Sequence, residues 1–151
     1  MASTKALLER APTTTAVANA LKAEFGEKKP LELGRIPDAA KANQKLPYGI
    51  LYPLWENQVG GSMRYPHADV EWVYQVSLYS TRADQLEVMR DIARRVFLAQ
   101  DDSGAYVHDL DVDGVHIMWR RAAEEGGEPQ PAGDLLALDL RFGLGATPRN
   151  S

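Results

Sequence analysis

Residues 70–98 constrain the fold more than any other stretch. From Val70 to Tyr79 the side chains alternate: Val70, Trp72, Tyr74, Val76 and Leu78 share one face, and Glu71, Gln75 and Ser77 the other. That is the period of a half-buried strand. The period then changes. Leu86, Met89, Ile92, Ala93 and Val96 recur at three- and four-residue spacing, while Arg82, Glu87, Arg90, Asp91, Arg94 and Arg95 occupy the other side. This predicts an amphipathic helix ending near Gln100, with Thr81 as its cap and Asp84 as a short capping-box partner. Along it Asp91 attracts Arg95, and Glu87 repels Asp91. A strand running directly into such a helix supplies half of a small α/β core and no reactive group.

The flanking sequence extends the pattern. Ser3 to Ala11 reads as a short helix ended by Pro12, and Thr13-Thr14-Thr15 offers caps for a second, from Thr15 to Phe25. There Val17, Ala20, Leu21 and Phe25 share a face, and Gly26 is the stop. Glu27 to Leu46, broken by Pro30, Gly34 and Pro37, reads mostly as loop. Tyr48 to Leu54 is a short strand with Pro53 near its end, which favours an edge or a terminus. Glu56 to Asp69 has no period and contains Gly60-Gly61 and Pro66, so it reads as a long loop.

Ala105–Val112 and Val115–Ala122 flank Asp113-Gly114, the signal for a hairpin closed by a type I′ turn. Glu124 to Gly133 is a polar Gly/Pro tract. Asp134 to Leu144 alternates again, with Leu136, Leu138, Leu140, Phe142 and Leu144 on one face. The expected class is α+β: a mostly antiparallel sheet of four to five strands with two main helices on one face. The expected division is an N-terminal segment at 1–12, a single domain at 13–145 with mobile loops at 56–69 and 123–133, and a disordered tail at 146–151.

Composition narrows the function classes. A length of 151 residues suits one domain with an adequate core, and the chain has no cysteine, which removes disulfides and thiolate chemistry. Seventeen Lys and Arg stand against 21 Asp and Glu, which argues against gripping a polyanion through its phosphates. No apolar run approaches the roughly 20 residues that span a bilayer, and MASTKALLERAPTTT lacks a signal-peptide core, so a soluble, non-secreted protein without a membrane partner is expected.

Motifs that carry chemistry are sparse. Asp109 to Gly114 matches the first half of a calcium loop, but the ninth and twelfth positions are Ile117 and Arg120, where the latter should be a bidentate Glu. The blander reading is an acidic edge leading into the hairpin. His67 and Asp69 sit in the long loop; His108 and His116 lie on opposite hairpin arms and lack a third ligand at defined spacing. Ser62 has no nucleophile elbow, and Gly143–Ala146 opens onto a tail rather than a helix. Arg94-Arg95 reads as a solvated face, and Arg120-Arg121 as charge balanced by Glu124-Glu125. Neither catalytic residues nor a metal or cofactor site is expected. Trp55, Val59, Met63 and Tyr65 lie in or beside the long loop. Trp119 follows Met118, so its strand carries large apolar groups on both faces and is either covered twice or meets another subunit. These five are the candidate interface residues: Trp55, Val59, Met63, Tyr65 and Trp119.

The element order resembles that of tail terminator (tail completion) proteins of long, non-contractile-tailed bacteriophages. The residues that carry the resemblance are the N-terminal helix, the early strand Leu46-Pro47-Tyr48-Gly49-Ile50-Leu51-Tyr52, and the strand Tyr74 to Ser80 running into the helix Arg82 to Gln100. The hairpin and a last strand, Leu135 to Leu144, complete it. The likeness spans Thr13 to Leu144 and rests on fold patterns rather than on a functional motif. It implies a homohexameric ring at the head-proximal end of the virion tail, assembled in the host cytoplasm. Its partners would be further copies of itself, the tail tube protein and the head–tail connector protein, with DNA passing through unbound. The rival readings are another phage neck or tail-tube component, and a small ligand-binding or enzymatic α/β domain.

Overall fold

A computed structural model of the chain describes residues 8–26, 29–33, 47–60, 69–124 and 127–149. Helix α1 is Ala11–Phe25 and helix α2 is Ala83–Leu98. The strands are β1 (Leu31–Leu33), β2 (Tyr48–Gly60), β3 (Asp69–Ser80), β4 (Val115–Glu124), β5 (Gln130–Ala132) and β6 (Leu135–Pro148). They form one six-stranded sheet in the order β1-β2-β3-β6-β4, with β5 paired to the start of β6. Every described pairing is antiparallel except that of β1 with β2. The class is α+β, as the patterning predicted.

The predicted stripes meet in one core. Trp72, Tyr74, Val76 and Leu78 of β3 lie beside Leu138, Leu140, Phe142 and Leu144 of β6. Leu86, Met89, Ala93 and Val96 of α2 and Val17 and Leu21 of α1 cover them, all within the same buried cluster. Phe97 stacks on Phe142 with ring centroids 4.2 Å apart. Tyr74 is buried on this face because its hydroxyl meets Thr14 Oγ1 at 2.8 Å. Both helices thus serve one side of the sheet, and no described helix lies on the other.

Several boundaries differ from expectation, each for a local reason. Pro12 sits in the first turn of α1, which needs no backbone donor there; of the helix expected from Ser3 to Ala11, residues 8–10 are not helical and residues 3–7 lie outside the described residues. Thr13 and Thr14 are consequently buried helical residues rather than caps. Thr81 does not cap α2: Arg82 holds the cap position, its N–H donating to Ser80 Oγ at 3.1 Å. Helix α2 ends at Leu98, two residues before the expected Gln100. The loop expected at 27–46 contains β1, and the one expected at 123–133 contains β5; at three residues each, neither is long enough to show a period.

Strand β2 runs on through Gly60, so residues 56–60 of the expected long loop are strand, while 61–68 lie outside the described residues. A bulge at Leu54 and Trp55 opposite Val73 breaks the alternation and hides the continuation from a period count. Strand β6 likewise runs to Pro148, and Thr147 Oγ1 donates to Asp69 at 2.6 Å, so the expected tail is partly sheet.

The predicted hairpin does not form. Val112 and Val115 do bridge across Asp113-Gly114. Among the described residues, however, only glycines have positive φ, and Gly114 stands at 81°. Asp113 at negative φ before Gly114 gives the φ signs of a type II turn, whose twist splays the arms of a hairpin. Strand β4 pairs with β6 instead, and residues 99–112 cross as a strap. Arg120 pins the strap. Its guanidinium donates to the carbonyls of Val96, Phe97 and His108, at 3.5, 3.4 and 2.5 Å, and lies over the Tyr106 ring. It thereby satisfies carbonyls that the end of α2 leaves open.

Arg10 performs a related task at the β2 bulge. It donates to the Leu54 carbonyl at 2.8 Å and the Val73 carbonyl at 2.6 Å, with its charge 4.5 Å from the Tyr74 ring centroid. Arg10→Met is expected to cost about 2 kcal/mol, since two charge-assisted bonds to partly buried carbonyls are lost. Urea unfolding monitored by tryptophan fluorescence measures this; a midpoint equal to that of the native sequence would refute the role.

Candidate functional site

The residues that could have supplied chemistry are drawn into separate structural contacts. His108 Nε2 lies 3.3 Å from Glu24 Oε1, at the last turn of α1. His116 Nδ1 lies 2.7 Å from Asp111 Oδ2, which Arg149 also approaches at 3.4 Å. The two histidines, expected on opposite arms of a hairpin, engage different carboxylates. His67 and Ser62 lie outside the described residues. Asp109 Oδ1 accepts the Asp111 N–H at 2.9 Å, and Asp111 Oδ1 accepts the Ile117 N–H at 2.9 Å. Two carboxylates of the calcium-like run therefore serve as backbone caps. Burial pushes Asp111 up, but the bonds from His116 and Ile117, with the charges of His116 and Arg149, outweigh it and leave the carboxyl below its ordinary value. Among the described residues no group of three His, Cys, Asp or Glu could hold a metal ion. No described helix is long and apolar enough to cross a membrane.

The face of the sheet opposite the helices is organised differently. Pairing register places Asn57, Glu71, Gly145 and Trp119 in one row across β2, β3, β6 and β4, and Val73, Gly143 and Arg121 in the next. Gly143 and Gly145 are the local cause of what lies above them. A Cβ on Gly145 would collide with the Trp119 indole, and one on Gly143 with the Glu71 carboxylate. The bare backbone lets the indole lie flat and the carboxylate sit low. Trp119 is therefore neither in the main core nor on a free surface; it is half-buried on this second face, while Met118, bulged out beside it, is exposed.

Glu71 is 4% exposed in its side chain, on a face without a described second layer. Arg121 grips it through Nε–Oε2 at 2.5 Å and Nη2–Oε1 at 2.9 Å, and Asn57 Nδ2 adds a bond at 3.1 Å. The Arg121 bond holds the Glu71 carboxyl below the usual carboxylate range against the upward push of burial, and Asn57 assists. The Glu124 side chain and Glu125, expected to balance Arg120-Arg121, lie outside what is described; among the described residues Arg121 pairs across the sheet with Glu71, and Arg120 turns to the other face. Period-two alternation of adjacent strand residues was the signal for that division.

The same face carries further aromatic side chains. Trp55 is half-exposed, with Arg141 over its ring at 5.6 Å. Arg141 Nε also donates to Gln75 Oε1, which holds the guanidinium across the strands. Farther along, Tyr48 stacks on Tyr79 at 5.0 Å, with Tyr52 and Leu135 packed on a second small cluster around Ile50. Of the five interface candidates, Trp55 and Val59 fall on strand β2, each 50% exposed, rather than in a loop. Trp119 shares the outer face with Trp55. Met63 and Tyr65 lie outside the described residues. Tryptophan, tyrosine and arginine on a flat, ordered surface are the composition that carries binding energy in protein interfaces. Arg94 and Arg95 lie elsewhere, exposed on α2 beside Asp91 along an open groove.

No protein-family model and no curated protein matches the chain.

Proposed function

We propose that this protein works by self-association, as a tail terminator of a long, non-contractile-tailed bacteriophage. Six copies form a ring at the head-proximal end of the tail tube. The ring halts tube growth and offers the head–tail connector a surface. The observation that carries the reading is the aromatic outer face of the sheet. It is held by Arg121–Glu71 and levelled by Gly143 and Gly145, and it exposes Trp55. A face ordered in this way suits packing against protein. The order of helix, Pro-Tyr strand, strand-to-helix unit and final strand supports the family likeness, although β4 pairs with β6 where the pattern has a hairpin. A net charge of −4 per chain, multiplied around a ring, would repel DNA from the walls of the hole rather than hold it.

Two measurements test this. Light scattering on the purified chain, alone or with tail tubes, is expected to show a species near six times 16.7 kDa. Tails assembled without the protein are expected to have uncontrolled length. Tails of normal length in its absence overturn the reading, whereas a monomer in free solution with overlong tails places ring formation on the tube. The surface is tested by Trp55→Asp combined with Val59→Asp. Both side chains are half-exposed, so folding should survive while assembly is lost. A folded double variant that still assembles and still sets tail length excludes this part of the surface.

A further inference from the structure

We draw no further inference here: the strongest candidate, the outer sheet face around Trp55, Arg141 and Trp119, belongs to the surface already proposed for self-association, and nothing in the structure shows what covers it.

Discussion

Replacing Phe142 by Ala is expected to cost about 4 kcal/mol of folding stability, near the middle of the range for emptying a buried aromatic site. Phe142 is fully buried in the middle of β6, the strand that pairs with β3, β4 and β5. Its ring lies nearly parallel to that of Phe97, with 6° between the planes. Truncation therefore removes apolar burial, the stacked pair and the filler between sheet and α2 at once. The strand cannot collapse into the gap, because its backbone is held on both sides by ladders. In a domain of this size the loss corresponds to a fall in Tm of roughly 8–16 °C. Total stabilities run from about 5 to 15 kcal/mol, so a marginal variant would be partly unfolded at 37 °C. Calorimetry of Phe142→Ala, Phe97→Ala and the double variant measures the effect. The double variant is expected to lose less than the two single losses added, since either one already breaks the stack. Additive losses would show that the ring pair has no energy of its own.

How much of this was readable beforehand depended on whether burial repeats along the chain. Strand β3, helix α2 and strand β6 could be read because each presents one long apolar stripe to the same core, and a stripe of five residues is a periodic signal. The ends could not. Strand β2 continues to Gly60 behind a bulge that resets its alternation, and Glu56 to Val59 are exposed. Strand β1 is held by Leu31 next to Gly49, a contact that three residues cannot announce. The Asp113-Gly114 signal marked the turn correctly but misled about its consequence, because the sign of φ at Asp113 decides whether two arms stay together.

The outer face was partly readable. Trp55, Val59 and Trp119 stood out as large apolar groups without a stripe to join. Gly143 and Gly145, two apart in a strand, also marked a place where large neighbouring side chains lie over bare backbone. What could not be read was partnership. That Arg121 would meet Glu71, 50 residues earlier, depends on β3 and β4 both pairing with β6. No local pattern encodes that arrangement.

The same pair gives the second large effect. Arg121→Met is expected to destabilise the fold by about 3 kcal/mol, since it leaves a carboxylate 4% exposed with Asn57 as its one remaining side-chain donor among the described residues. The figure is set at the low end for a broken pair because Arg121 is itself half-exposed, so water screens part of the attraction. The partner's charge, more than the loss of contact, sets the cost. Removing both charges in Glu71→Gln with Arg121→Met should therefore recover much of the stability lost in Arg121→Met alone. A double variant as unstable as the single one would mean that the arginine acts by packing.

Acidity supplies an independent check. Glu71 has its folded value held below that of an unfolded glutamate, about 4.3. Its contribution is then fully present above that pH and is lost as pH falls through the lower, folded value. Stability of the native sequence should fall as pH drops below about 4, and that of Glu71→Gln should fall less steeply. Asp101 and Asp111 are also held low and remain in both proteins, so the difference between the two slopes is the readout. Urea midpoints measured from pH 7 downward give both slopes, and equal slopes would remove Glu71 from any account of how the outer face is held.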